Sequence, residues 1–231
     1  MTDRAHVLAA LGTVYDPELD EPITSLEFVT SCAVSADGDV DVRLRLPTSQ
    51  CAPNFAYLMA ADARIAVRRL PGVREVTVTL EGHYTGDEIN GAVGRGESFA
   101  DAFPGETQDE LDALRQLFQR KALVARQSAV GEALLAGGAS LEQIAALRVA
   151  DLPAGPEAVR CLELRAHLGI ATDADAAAFV TPGGEAIAPA DLQRWMRMAR
   201  LVRTSLEVNG GICRSLLQNR YGLPHAEEVA A

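Results

Sequence analysis

The chain has 231 residues, enough for one large domain or two small ones, and an ordinary apolar content of 48%. Its net charge of −11 disfavours nonspecific nucleic-acid binding, which requires many basic side chains on phosphates. No apolar run is long enough to cross a bilayer, and the first residues lack a signal-peptide pattern. We therefore expect a cytoplasmic protein whose partners are neither nucleic acid nor membrane. Its four scattered cysteines form no C-x-x-C pair, which argues against a disulfide framework or a zinc ribbon within the chain.

The N-terminal part predicts a short helix followed by two strands. The helix covers residues 3–13, whose aliphatic side chains share one face, and a strand follows at about 25–35. Asp37-Gly38 is a strong signal for a tight hairpin. In the next strand, residues 40–46, aliphatic side chains alternate with charged ones, which predicts one buried face and one solvated face.

A second helix and a third strand complete this part of the chain. The helix carries apolar residues at helical spacing, and we expect Asn54 to be its N-cap and Pro71-Gly72 to end it. The third strand follows at about 76–81. Residues 1–86 therefore predict a small α+β domain of order α-β-β-α-β, with helices on one face of a mixed sheet.

The rest of the chain predicts helices only. Several glycines in residues 87–106 predict a linker there. Beyond it, residues 107–110 have the pattern of a capping box, and Ser140 opens a further helix. We expect residues 107–231 to form an all-helical C-terminal domain of about four to six helices.

Charge is unevenly distributed along the chain. Acidic residues crowd the N-terminal end, and arginines crowd the segment from Arg194 to Arg220. This pattern fits two solvated faces, and it also fits two ends that dock on each other or steer a partner.

The loop PTSQCAP, residues 47–53, is the most informative stretch of the chain. It places Cys51 between an alternating strand and an amphipathic helix. The N–H groups at the start of a helix favour negative charge, so we expect the pKa of the Cys51 thiol to be lowered. Such a loop is also accessible to a partner. Spacing alone leaves open an ordinary, inert loop cysteine.

Three sequence blocks occur in the order and at the spacing of one known family. They are DPELDEPI at 16–23, LPTSQCAP at 46–53 and RLPGVREVTV at 69–78. With them, roughly the first 85 residues resemble the iron–sulfur cluster assembly domain that includes the T protein of the Suf system, the D protein of the phenylacetate pathway and the eukaryotic MIP-type assembly factors. The chain departs from the family at Leu26-Glu27, where the family usually has Leu-Gly.

The resemblance implies a reactive Cys51 with Asp16 and Glu18 close to it in space. It also implies a non-enzymatic accessory protein that assembles or transfers clusters, or matures an iron-dependent enzyme such as an oxygenase. Its partners would be a client metalloenzyme or cluster-assembly proteins, and its cargo a transient iron–sulfur cluster or iron. One thiolate cannot complete a shell of about four ligands, so we expect the site to be shared with a partner or across a homodimer.

Other residues are candidates for supporting roles. Asp16 and Glu18 offer oxygen ligands or a base for Cys51, although Asp16-Pro17-Glu18 also suits a plain turn. Thr48 and Ser49 lie in the cysteine loop itself. Two further candidates are His83, which follows the third strand, and Cys213, a second candidate for a reactive thiol near a helix start.

Two other functions compete with cluster handling. One is a cysteine-dependent enzyme that uses Cys51 with His83 and Asp16, which would need mutual hydrogen-bond contact. The other is an interaction scaffold or chaperone for a metalloenzyme that has no metal of its own. Cys32 and Cys161 lie in apolar patterns, and we expect both to be core residues.

Overall fold

The computed structural model describes residues 2–105 and 108–222. Eight α-helices, three strands and one 3-10 turn are described there. In chain order they are α1 (Arg4–Leu11), β1 (Val29–Val34), β2 (Asp39–Arg45), α2 (Pro53–Arg68), β3 (Glu75–Glu81), α3 (Gly86–Arg95), α4 (Phe99–Ala102), α5 (Gln108–Ala136), α6 (Leu141–Ala146), the 3-10 turn (Val149–Asp151), α7 (Pro156–His167) and α8 (Pro189–Tyr221). The predicted α+β class is confirmed, with a small mixed sheet followed by helices. None of the described helices is both long and apolar enough to span a bilayer.

The sheet has the order β1-β2-β3, with β1 antiparallel to β2 and β2 parallel to β3. Val40, Val42 and Leu44 pair with Val76, Val78 and Leu80, and all six side chains are buried. On the opposite face, Arg43 and Arg45 contact Glu81. The alternation in the sequence therefore predicted the buried face correctly. A parallel pair needs a crossover, and here the crossover carries the cysteine loop and α2.

Helix α2 begins two residues earlier than the predicted Asn54 cap implies. Pro53 is its first residue, Ala52 occupies the N-cap position, and no side chain caps the end. The Asn54 side chain instead accepts a hydrogen bond from the Phe55 N–H, at 2.9 Å. The predicted Asn54 cap is wrong because proline, which lacks an N–H and has a fixed φ, is well suited to the first helical position.

The predicted linker over 87–106 is wrong for the residues that the structure describes. Helices α3 and α4 occupy most of this stretch. Ile89, Ala92 and Val93 of α3 are buried in the hydrophobic core that includes the sheet, which we call the first core. Their burial outweighs the low helix propensity of the glycines in α3. Gly96, with φ of 72°, ends the helix. The capping box expected at 107–110 includes Thr107, which lies outside the described residues, whereas Ser140 caps α6 as predicted.

The chain divides into two compact units at positions other than those predicted. The first unit comprises Met1–Ala113 and Asn209–Ala231, and the second comprises Leu114–Val208. The first unit is discontinuous because the last turns of α8 belong to it, and Leu217 in those turns is only 1% exposed in its core. Cys32 is buried in the core of the first unit and Cys161 in that of the second, as predicted.

The second unit is helical and has a core of its own. Leu123, Ile144, Leu164 and Leu192 are fully buried there. Arg165 of α7 is also buried, and its guanidinium donates to the backbone carbonyls of residues 171, 177 and 178. This side chain therefore organises the irregular segment that precedes α8.

Candidate functional site

Cys51 lies at the edge of the sheet where two parallel strands end. It follows β2 and precedes α2 by two residues, and His83 follows the neighbouring strand β3. Because parallel strands end at the same edge, the fold brings these two sequence-predicted residues together.

The Cys51 side chain is half-buried and packs against the core of the first unit. Its Sγ lies 3.4 Å from the Thr48 Oγ1. The Thr48 Oγ1 also accepts a hydrogen bond from the Gln50 N–H, at 3.2 Å, so the hydroxyl hydrogen is available to the sulfur. Ser49 acts through its backbone, since its carbonyl accepts a hydrogen bond from the Tyr84 N–H at 3.1 Å. These contacts hold the cysteine loop to the chain that follows β3.

His83 contacts the backbone of Cys51. Its Nε2 lies 2.7 Å from the Cys51 carbonyl oxygen, and a carbonyl can only accept, so Nε2 carries a hydrogen. Its Nδ1 accepts from the Thr85 N–H at 3.3 Å. This pattern is that of the neutral imidazole, and both ring nitrogens are used to hold the loop. Neither nitrogen is positioned to remove a proton from the Cys51 thiol.

Asp16 shapes the turn that precedes β1. Its Oδ1 accepts hydrogen bonds from the N–H groups of Glu18 and Leu19, each at 2.9 Å. Burial raises the pKa of Asp16 to about 6, the two N–H groups oppose that rise, and the charges of Glu18 and Glu21 add to it. The negative charge of the Asp16 carboxylate is therefore unfavourable in the folded protein.

The segment 16–27 also has an unusual backbone. Among the residues that the structure describes, Asp20 and Glu27 are the non-glycine residues with positive φ, at 51° and 62°. Glu27 stands at the position where the resembled family usually has glycine. The turn is nevertheless formed, because the Phe28 N–H bonds to the Ile23 carbonyl at 3.0 Å. The departure in sequence thus leaves the local fold in place.

The end of α8 contacts this segment, in agreement with one of the two interpretations that the charge pattern allows. Arg214 donates to the carboxylate of Glu21, and the Gln218 Nε2 lies 3.4 Å from the Glu27 Oε2. The acidic N-terminal end and the arginine-rich C-terminal end are therefore in contact at these residues. The segregated charges were the only signal in the sequence for this contact.

Cys213 lies on the part of α8 that belongs to the first unit. It is half-buried on α8 and packs against the same core as Cys51. Burial raises the pKa of the Cys213 thiol to about 11, and Asp16, Cys51 and Glu18 add to the rise through their charges. The two cysteines and the two acidic residues thus belong to one neighbourhood of the first unit.

This neighbourhood is not a complete metal site. Within residues 2–105 and 108–222, no three histidine, cysteine, aspartate or glutamate side chains converge closely enough to hold a metal ion.

Comparison with known proteins assigns a relationship to the same part of the chain. The profile of a family described as iron–sulfur cluster assembly protein matches residues 4–80. An uncharacterized protein of Methanocaldococcus jannaschii is 36% identical over 90 residues, which cover 39% of this chain and 93% of that protein.

Longer relatives match this chain over a similar number of residues. Iron–sulfur cluster carrier proteins of Mycobacterium tuberculosis and Mycobacterium bovis are 39% identical over 77 residues, which cover 33% of this chain. The chain spans about a fifth of the length of these carriers, since the match covers 20% of each. The family match at residues 4–80 contains Asp16 and Cys51, and it ends before the second unit, which begins at Leu114.

Proposed function

This chain belongs to the iron–sulfur cluster assembly protein family, and on that premise we propose that it is a non-enzymatic accessory protein that receives a cluster or iron and passes it to a client. The cargo is a substrate that the protein releases. The clients in this proposal are cluster-assembly proteins or a metalloenzyme, for example an iron-dependent oxygenase.

The observation that carries the proposal is a half-buried thiol, Cys51, at the start of α2, around which the described part of the chain places no set of further ligands that would close a metal site. A tetrahedral iron or cluster site needs about four ligands. A partner that supplies the missing ligands can therefore also take the cargo away. The backbone N–H groups at the start of α2 favour the negative charge of a thiolate-bound cluster.

We propose supporting roles for the residues around Cys51. The Thr48 hydroxyl orients the sulfur, the Ser49 carbonyl and the His83 ring hold the loop, and these contacts fix the direction in which the thiol is presented. Such surrounding hydrogen bonds orient the ligands of metal sites in general. The charges of Asp16 and Glu18 act on the Cys213 thiol, and these two residues are the candidate oxygen ligands.

A cysteine-dependent enzyme is less well supported. Such an enzyme would need His83 as the base for Cys51, and both nitrogens of His83 are already engaged with backbone or Thr85 groups.

The scaffold alternative has one specific observation in its favour. On the part of α8 that belongs to the second unit, Met198, Leu201 and Val208 lie on one face and are 48%, 73% and 53% exposed. Exposed apolar residues at helical spacing are typical of surfaces that bind another protein. In this proposal they offer a contact for a client or for a second copy of the chain.

Anaerobic reconstitution tests the proposed function. The full chain is incubated with ferrous iron and sulfide, desalted, and measured by visible absorption and by iron and sulfide analysis. We expect thiolate-to-iron charge-transfer bands in the wild type and their loss in Cys51→Ala, while the matched control Cys161→Ala, with a buried cysteine of the second unit, retains them. One cluster per two chains would assign the sharing to a homodimer. Full absorption in Cys51→Ala would contradict the proposal.

A thiol reagent separates the alternatives. Client binding that is unchanged in Cys51→Ala would support the scaffold, and a turnover of a small substrate that iodoacetamide abolishes would support the cysteine enzyme.

A further inference from the structure

The last turns of α8 belong to the first unit, and the face that they pack against its core carries a second cysteine. Gly210, Cys213 and Leu217 recur at helical spacing on this face. Gly210 is buried, and a β-carbon added to it would lie 2.7 Å from the Glu21 Oε1, so the helix approaches segment 16–27 closely here. Leu217, one turn further on, is buried in the first core. Cys213 lies between these two buried positions, and its side chain packs against the core of the first unit.

Contacts on both sides fix this end of α8 over the site. On one side it contacts segment 16–27, through Arg214 with Glu21 and through Gln218 with Glu27. On the other side, the guanidinium of Arg220 donates to the carbonyls of Leu46, at 3.4 Å, and Gly82, at 2.9 Å. Leu46 directly precedes the cysteine loop, and Gly82 directly precedes His83. The helix end therefore spans from the Asp16 turn to the Cys51 loop, and Cys213 is held between them.

The electrostatics agree with this placement. Burial raises the pKa of the Cys213 thiol, and the charges of Asp16, Cys51 and Glu18 add to that rise. Both cysteines are half-buried, so a reagent or a partner can reach them. Cys32, by contrast, is buried in the sheet.

We propose that Cys213 is a second thiol ligand that holds the cargo together with Cys51. This inference rests on the proposed function. Both thiols bind as thiolates, so each gives up one proton when the cluster or iron is taken up, and no oxidant or reductant is needed. The chain would then supply two of about four ligands, and the client the remainder.

Cys213 lies outside the region shared with the family, because the matched residues end at position 80. The second ligand is thus supplied by the chain's own C-terminal helix. Cys213 would retain the cluster or iron more firmly than Cys51 alone can, while the coordination shell stays incomplete until a client binds.

Cluster retention in the full chain tests this inference. Wild type, Cys213→Ala, Cys213→Ser, Cys51→Ala and the control Cys161→Ala are reconstituted anaerobically, and the loss of iron to the chelator bathophenanthroline disulfonate is followed. We expect Cys213→Ala and Cys213→Ser to load but to lose iron at least about tenfold faster than wild type and control. Circular dichroism shows whether each variant is folded, and the near-isosteric serine variant keeps the test valid if alanine perturbs the packing.

Phenylarsine oxide supplies a second readout that needs no iron. It condenses with two neighbouring thiols, forms two As–S bonds and releases one water. We expect one arsenical per folded wild-type chain, bound in a form that excess monothiol does not displace, and none in Cys51→Ala or Cys213→Ala.

Each outcome decides between the two proposals. If wild type and Cys213 variants retain iron equally, or if no arsenical bridges the pair, the second-ligand inference is overturned and the role of Cys51 stands. If wild type and Cys51→Ala take up iron equally or not at all, the proposed function itself is contradicted, together with the inference that rests on it.

Discussion

Each of the two compact units buries an ionisable side chain, and burial makes both charges unfavourable. In the second unit, Arg165 is 1% exposed; its guanidinium donates to three backbone carbonyls, and burial lowers its pKa. In the first unit, Asp16 is 7% exposed; it accepts two N–H groups, and burial raises its pKa to about 6. The two side chains differ in what they hold in place, which is the irregular segment before α8 for the arginine and the turn at residues 16–19 for the aspartate.

A second difference indicates where function competes with stability. In the first unit, segment 16–27 combines the costly carboxylate of Asp16 with the positive φ angles of Asp20 and Glu27. This segment belongs to the region shared with the cluster assembly family and contacts the end of α8 through Glu21 and Glu27. Strained or costly features at one place are typical of functional sites.

The largest loss of stability should follow from replacing Arg165, the buried arginine of the second unit. Arg165→Met leaves the carbonyls at 171, 177 and 178 without their donor, and we expect the free energy of unfolding to fall by about 3–5 kcal/mol. Trp195 is the single tryptophan and lies in the core of this unit, so urea unfolding followed by its fluorescence reports the change. A loss no greater than that of the exposed control Arg197→Met would show that these hydrogen bonds are not stabilising.

Asp16→Asn should raise the free energy of unfolding, and the size of this increase should depend on pH. The pKa of Asp16 is raised above its ordinary value of 3.8 to about 6, so the wild type is most stable when this group is protonated and loses that stability as pH rises through about 6. Asparagine keeps the oxygen that accepts the two N–H groups. At pH 8 we expect the variant to be more stable than wild type by up to about 3 kcal/mol, and the difference to approach zero between pH 3 and 4.

Denaturant unfolding at several pH values, followed by circular dichroism, measures this difference. The matched control is Glu75→Gln, an exposed carboxylate on β3. A variant less stable than wild type at pH 8 would contradict the assignment of Asp16 as a costly charge.

The smallest effect concerns the backbone of the same segment. Glu27 has φ of 62°, which glycine adopts without strain, so we expect Glu27→Gly to raise the free energy of unfolding by about 1 kcal/mol. Asp20→Gly is the matched comparison, because aspartate tolerates positive φ better and should gain less. Thermal unfolding of both variants measures the effect. Equal or negative shifts in Tm would mean that the contact of Glu27 with Gln218 outweighs the strain.

Features set by local pattern could be predicted from the sequence, and features set by distant packing could not. The alternation from Val40 to Leu46 predicted a strand with one buried face, and Asp37-Gly38 predicted its hairpin. Helix α3 was not predicted because its glycines lower the local helix propensity. The helix is stabilised by the burial of Ile89 and Val93, which depends on the rest of the fold.

The same distinction applies to the candidate site. The loop chemistry around Cys51 was visible in the sequence, and parallel strands bring His83 to it. The sequence could not show that His83 forms its hydrogen bond with the Cys51 carbonyl rather than with the thiol. Nor could it show that the end of α8 joins the first unit, because that contact links residues such as Glu21 and Arg214 across nearly the whole chain.

The most direct test of the account is the transfer of a cluster from this protein to a defined acceptor. Wild type and Cys51→Ala, each reconstituted with the same iron and sulfide, are mixed anaerobically with apo-ferredoxin, and the circular dichroism of holo-ferredoxin is followed. The account predicts rapid transfer from the wild type, and from Cys51→Ala only the slow rate that free iron and sulfide give. Equal transfer rates from both proteins would contradict it.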